Sequence, residues 1–179
     1  MQAEETKLKG CFLLKPSVFE DARGYFFESF NQVKFEELTK ANGNFVQDNQ
    51  SFSTFGTIRG LHMQTGDSAQ AKLVRVLAGE VLDVAVDLRP GSPTYGDWIG
   101  VKLSAENNLQ LYIPRGFAHG FSVLSETAVF AYKCDNFYNK SAEAGIRYDD
   151  PVLSIDWEVP ASAMQFSEKD LELPFFNKD

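Results

Sequence analysis

The strongest constraint on this chain lies in residues 72–89, KLVRVLAGEVLDVAVDLR. Its apolar residues recur at every second position on both sides of Ala78-Gly79, which suits two strands joined by a tight turn and no amphipathic helix. In the second half, Leu82, Val84, Val86 and Leu88 share one face, and Val81, Asp83, Ala85 and Asp87 share the other. Shorter runs of the same kind predict strands at 11–15, 24–30, 45–54, 57–63, 71–78, 80–88, 97–103, 109–113, 120–124 and 127–134. Turn signals separate them at Arg23-Gly24, Ala78-Gly79 and Pro90-Gly91-Ser92-Pro93. A helix is predicted over about 32–42, capped by Asn31, ended by Asn42-Gly43, with Phe35, Leu38 and Ala41 turned inward. Short helical possibilities remain in the tail after Pro151, notably near 167–172. Many short strands and few helices point to a mostly β protein, a closed or sandwich-like antiparallel barrel.

The 179 residues, 44% hydrophobic with 16 phenylalanines, suffice for one packed domain spanning 1–179. A net charge of −8 without a basic stripe speaks against nucleic acid as a partner. An anionic ligand must then be held by local positive charge against the overall field. No apolar run approaches the roughly 20 residues of a membrane helix. The opening MQAEETKLKG does not read as a secretory signal, so a cytoplasmic location is expected. Cys11 and Cys134 are far apart and read as buried thiols rather than a disulfide or metal framework. The glycosylation patterns at Asn49-Gln50-Ser51 and Asn139-Lys140-Ser141 are then coincidental.

Polar residues in the strands carry the functional signal. Gln47, Asp48, Asn49 and Gln50 run consecutively between Phe45-Val46 and Phe52. They suit either a solvated edge strand or a strand lining a polar cavity. The two histidines are His62, in Arg-Gly-Leu-His, and His119, in Pro114-Arg-Gly-Phe-Ala-His119. The latter has the Pro-x-Gly-x-x-His spacing of a cupin motif, which suggests an antiparallel jelly-roll barrel. Many cupins hold a metal through three histidines and a carboxylate. Gln64 stands where the first motif needs its second histidine, and two imidazoles cannot build that site. No metal and no cofactor are expected, and no Gly-x-Gly-x-x-Gly dinucleotide motif is present.

The segments RGLHMQ, KLVRVLAGEVLDVAVDLR, YIPRGFAHGF, AYKCDNFY, DDPVLSIDW and FSEKD occur in order over about residues 20–174. Together they resemble the successive motifs of the dTDP-4-dehydrorhamnose 3,5-epimerase family. The resemblance implies a cofactor-independent isomerase acting on a dTDP-4-keto-6-deoxy sugar. Protons on carbons 3 and 5 are acidified by the ketone at carbon 4, so the reaction needs a base, an enolate stabiliser and an acid on the opposite face. His62 matches the base, Asp170 its partner carboxylate, Lys72 the enolate-stabilising cation and Tyr132 the acid. Arg23, Glu28, Gln47, Asn49, Arg59, His119, Glu143 and Lys169 match ligand positions; Phe19, Phe26 and Tyr138 could offer aromatic surface for the base of the nucleotide. Asp83 shares the polar face of its strand and could orient His119. The resemblance also implies a homodimer with exchanged N-terminal strands, the segment Phe19–Phe30 reaching the partner. Met63 follows His62 where many relatives carry an aromatic residue, which affects the shape of the sugar pocket.

Taken singly, each residue has a plainer explanation: a core histidine bonded to a carbonyl, a solvent-facing lysine, a core tyrosine, an exposed helix-turn acid. Three rival activities follow from the same frame. They are a single epimerase acting at carbon 3 or 5, a non-catalytic sugar-nucleotide-binding cupin, and a metal-dependent cupin oxygenase or isomerase.

Overall fold

The structure is a computed structural model that describes residues 1–177. The elements are β1 (Gln2–Glu5), β2 (Phe12–Lys15), β3 (Phe19–Asp21), β4 (Gly24–Phe26), α1 (Gln32–Thr39), β5 (Gln47–Thr54), β6 (Ile58–Gln64), β7 (Lys72–Ala78), β8 (Glu80–Asp87), β9 (Trp98–Ser104), β10 (Gln110–Ile113), β11 (Phe117–Val123), β12 (Thr127–Cys134), β13 (Glu143–Gly145) and α2 (Glu168–Leu171). A six-stranded sheet runs β1-β2-β10-β7-β12-β5, and a five-stranded sheet runs β13-β6-β11-β8-β9; β3 and β4 form a separate two-stranded hairpin. All strand pairings within the sheets are antiparallel. The fold is a mostly β, cupin-like jelly roll in which two sheets face each other without joining into one closed ring among the described residues.

The alternation in β8 explains the layering. Val81 and Ala85 join Val74 and Val76 of β7 and Ala128 and Phe130 of β12 in the core between the sheets. Leu82, Val84 and Val86 pack on the opposite side against Ile146, Leu153 and Trp157 from the C-terminal third. Burial on both faces thus requires a strand that is apolar on both; its buried polar exceptions are Asp83, which meets His119, and Asp87 at the strand end, which is held by Arg89, Ser92 and Thr94. A third cluster puts Phe35 of α1 against Leu14, Leu73 and Tyr112 on the outer face of the six-stranded sheet.

Several elements differ from the sequence expectation. The predicted strand 24–30 stops at Phe26, because the chain must turn so that Asn31 can cap α1, accepting from the Lys34 N–H. The helix ends at Thr39, short of residue 42, with Lys40 in the left-handed region at φ 59° and its N–H on the Glu36 carbonyl. Its inner side is Phe35 and Thr39, while Leu38 is exposed. Strand β11 starts at Phe117 rather than 120, directly after the turn at Gly116. Strands β1, β3 and β13 carry little or no apolar alternation, and their three or four residues depend on pairing with a neighbour. The short tail helix falls at Glu168–Leu171.

One close approach positions the site. Gly60 has φ 122°, and a Cβ there would lie 2.6 Å from the Gly120 Cα and 2.7 Å from the His119 carbonyl oxygen. Only glycine lets β6 and β11 approach this closely. Beside this contact, where the register of the pair shifts, His62 stands directly opposite His119. No helix among the described residues is long and apolar enough to cross a membrane.

Candidate active site

The space between the sheets opens into two adjoining hollows of about 600 and 420 Å³. Asn49, His62, Lys72, Tyr132 and Lys169 line both. The walls come from different sheets. His62, His119 and Asp83 sit on β6, β11 and β8 of the five-stranded sheet; Asn49, Lys72 and Tyr132 sit on β5, β7 and β12 of the six-stranded sheet. Register fixes the second wall: Tyr132 lies opposite Asn49 and Val74, and Cys134 opposite Gln47 and Lys72. Strand β5 is at once a sheet edge and a cavity wall, so both readings of its polar run hold. Gln47 and Asn49 turn inward while Asp48 and Gln50 are exposed.

His62 Nε2 lies 2.6 Å from Asp170 Oδ1. The two side chains are in close polar contact without a well-aligned hydrogen bond at Nε2. The other Asp170 oxygen, Oδ2, accepts from the Ser167 hydroxyl at 2.6 Å and the Ser167 N–H at 3.3 Å, and Oδ1 also accepts from the Gly60 N–H at 3.3 Å. Burial pushes this carboxyl up, but the His62 and Ser167 contacts outweigh it and hold it at about 2. The acid read from sequence as a helix-turn residue is therefore a buried anion whose side chain is 5% exposed, against 37% for His62.

His119 Nε2 lies 2.7 Å from Asp83 Oδ1 in a second, deeper histidine–carboxylate pair. Burial lowers the histidine and raises the carboxyl, so both are driven toward their neutral forms. Lys72 is likewise lowered by burial; its ammonium sits 5.9 Å from the Tyr132 ring centroid. Burial raises Tyr132, which keeps its phenol protonated. Cys134, also on this wall, is pushed by burial to about 11 despite Lys72, and accepts a 3.7 Å contact from Asn49 Nδ2.

At the mouth, Lys169 Nζ pairs with Glu143 Oε1 at 2.5 Å. Gln47 donates to Asn49 and accepts from the Tyr138 N–H. Arg59 donates through Nε to the Ser53 hydroxyl and lines the inner hollow beside His119. Within one chain, Phe19, Arg23, Phe26 and Glu28 lie elsewhere. The first three belong to the exposed β3–β4 hairpin, where Arg23 pairs with Asp21, and Glu28 pairs with Lys34. Sequence reasoning did not single out Gln64 or Cys134 as pocket residues. Both were discoverable, since each stands two positions after a site residue, His62 or Tyr132, on the same strand face. Gln70, at a loop position, gave no such signal. Among the described residues, no three His, Cys, Asp or Glu side chains converge in a way that could hold a metal.

The family model described as dTDP-4-dehydrorhamnose 3,5-epimerase matches residues 5–178. The chain belongs to the dTDP-4-dehydrorhamnose 3,5-epimerase family. A dTDP-4-dehydrorhamnose 3,5-epimerase of Shigella flexneri is 52% identical over 171 residues, covering 96% of this chain and 93% of that relative. A crystal structure of the enzyme from Elizabethkingia anophelis NUHP1 is 60% identical, with a TM-score of 0.95, covering 98% of this chain and 96% of the other. A dTDP-6-deoxy-D-glucose-3,5-epimerase from Legionella pneumophila Philadelphia 1, solved in complex with dTDP-4-keto-L-rhamnose, is 49% identical with a TM-score of 0.93, covering 97% and 92%. The epimerase family's fold is thus shared over nearly the whole chain.

Proposed function

We propose that the hollow between the sheets is the active site of a cofactor-independent dTDP-4-dehydrorhamnose 3,5-epimerase, converting dTDP-4-dehydro-6-deoxy-D-glucose to dTDP-4-dehydro-L-rhamnose. The observation that carries the mechanism is the division of the acid–base set between opposite walls. His62 stands on one sheet, met by Asp170 from α2, Tyr132 stands on the other, and Lys72 lines the same hollow as both.

Inversion of a carbon needs proton removal on one face and return on the other, and this arrangement supplies both. The C4 ketone acidifies the neighbouring C–H bonds. His62 takes the proton, and the Asp170 carboxylate stabilises the imidazolium that results. Charge moves to the C4 oxygen, where Lys72 meets it. A positioned donor at such an oxyanion contributes about 2.7–4 kcal/mol. The enolate also offsets the burial that disfavours the ammonium before the proton is removed. Tyr132, protonated, returns a proton from the opposite wall. His119, held by Asp83, Arg59, Gln47 and Asn49 contact the sugar and its diphosphate, with Lys169, Glu143 and Tyr138 at the mouth. Arg23, Glu28, Phe19 and Phe26 serve a neighbouring copy: the hairpin leaves Phe19, Arg23 and Phe26 exposed and away from its own pocket, with Glu28 just beyond it, as an exchanged segment of a homodimer requires. The 179 residues act as one domain, in the cytoplasm, on a soluble nucleotide sugar.

The test is incubation of the protein with dTDP-4-keto-6-deoxyglucose in heavy water. Deuterium at both carbon 3 and carbon 5 of the product supports the double epimerase. Uptake at one carbon only makes it a single epimerase, and tight dTDP binding without exchange makes it a binding protein.

A further inference from the structure

The helix that carries Asp170 is only four residues long, yet its start is fully capped. Ser167 is the N-cap, its hydroxyl oxygen accepting from the Asp170 N–H at 3.2 Å; Asp170 is the third helical residue, its Oδ2 accepting from the Ser167 N–H. The capping box normally uses Glu or Gln at that third position. Here the shorter Asp fills it, and only one of its oxygens serves the cap. The other faces His62 and the Gly60 N–H.

We propose that Ser167 is a positioning residue for the acid–base pair: its hydroxyl, donating to Asp170 Oδ2 at 2.6 Å, fixes the rotation of the carboxylate that presents Oδ1 to His62. The inference rests on the epimerase reading above. Three donors hold the carboxylate. Two are backbone N–H groups at 3.3 Å, and the third and shortest is the Ser167 hydroxyl. A charge-assisted O–H···O⁻ bond of this length is roughly twice as strong as a neutral one. Without it, Asp170 keeps two long contacts, one to each oxygen, and can rotate off His62. The helix cap and the base are therefore not separable features: one carboxylate serves both.

The other titratable groups facing this pair come from several elements. They are Glu143 on β13, His119 on β11, Lys72 on β7, Tyr132 on β12, Arg59 on the strand of His62 itself and Lys169 next to Asp170, and Cys134, Tyr138, Lys140 and Glu172 line the same hollow as His62. Lys169 is already neutralised by Glu143. A change at residue 167 leaves all of them in place.

Two substitutions separate positioning from capping. Ser167→Ala removes both the cap and the hydroxyl donor. Ser167→Asp keeps a side chain that caps helices as well as serine does, but replaces the donor with a second carboxylate against Asp170. Ser167→Thr restores both. The readouts are kcat and KM separately, the acid limb of the kcat/KM profile, which reports the free enzyme's essential base, and Tm. Ser167→Ala and Ser167→Asp are expected to lower kcat about 10-fold, the lower end of what loss of an outer hydrogen-bond partner does at other sites, with KM little changed. In Ser167→Ala the acid limb should move to lower pH, because a carboxylate rotated off His62 stabilises its protonated form less well. Ser167→Thr should match the wild type. A Ser167→Asp protein with wild-type kcat overturns the proposal and leaves serine as a cap alone, even if Ser167→Ala fails to fold. An inactive wild type refutes the epimerase reading instead.

Discussion

Replacing Asp170 by Asn keeps the shape of the side chain and removes its charge, so it isolates what the buried carboxylate does for His62. The structure sets the scale of the effect. A carboxyl held at about 2 against an ordinary 3.8 corresponds to on the order of 2 kcal/mol of preference for the anion. That figure is what remains after the burial cost and is shared between His62 and Ser167, so it gives the order of magnitude of what stabilises the imidazolium. Loss of the charge should therefore lower kcat by about 10- to 100-fold. Affinity for dTDP should stay within about twofold, because Asp170 lies beneath His62 and not at the mouth. The same shift makes a stability prediction with a definite sign. The folded carboxyl titrates below its unfolded value, so its stabilisation is fully present above about pH 4 and is lost as pH falls through about 2. Denaturant titrations of wild type and Asp170→Asn should differ by a constant amount near neutrality and converge in strong acid. The reasoning is refuted if Asp170→Asn retains wild-type kcat, or if it loses dTDP affinity as steeply as rate.

The remaining tests use the opposite wall. Tyr132→Phe should retain proton abstraction, seen as solvent exchange, better than it retains completed double epimerisation; equal loss of both steps argues against Tyr132 as the acid. Lys72→Met should lower kcat by about 100- to 1,000-fold while raising Tm, since a half-buried ammonium with no ion-pair partner among the described residues is replaced by an apolar chain. Each kcal/mol gained should appear as about 2–4 °C in a chain of this size. A Tm that falls instead means the lysine is held by contacts that burial alone does not reveal.

The strands could be read from sequence wherever one residue in two is buried. The alternation in 72–89 located β7, β8 and the turn between them, and it placed Lys72 in line with Val74 and Val76 and Asp83 in line with Val81 and Ala85. Strands β1, β3 and β13 could not be read, because their formation depends on a partner strand rather than on their own pattern. The extent of α1 was overestimated because its end is set by Lys40 in a left-handed conformation, for which lysine carries no signal. Spacing could not show that residue 62 meets residue 170, a contact that depends on the approach of β6 to β11 at Gly60 and on a four-residue helix in the tail; strand facing did point to Asp83 as the group that orients His119, and the pairing of β8 with β11 brings the two to 2.7 Å. The motif resemblance named Asp170, but its burial, its capping duty and its tie to Ser167 emerge only from the folded chain.

The central claim is that an imidazole and a phenol on facing sheets exchange protons with carbons beside one ketone. Its most direct test is solvent-proton exchange by His62→Ala, followed by NMR of dTDP-4-keto-6-deoxyglucose in heavy water alongside a calorimetric measure of dTDP binding. The account predicts that the variant binds dTDP like the wild type and incorporates no deuterium at carbon 3 or carbon 5 beyond the uncatalysed rate. Deuterium entering either carbon at the wild-type rate would contradict it.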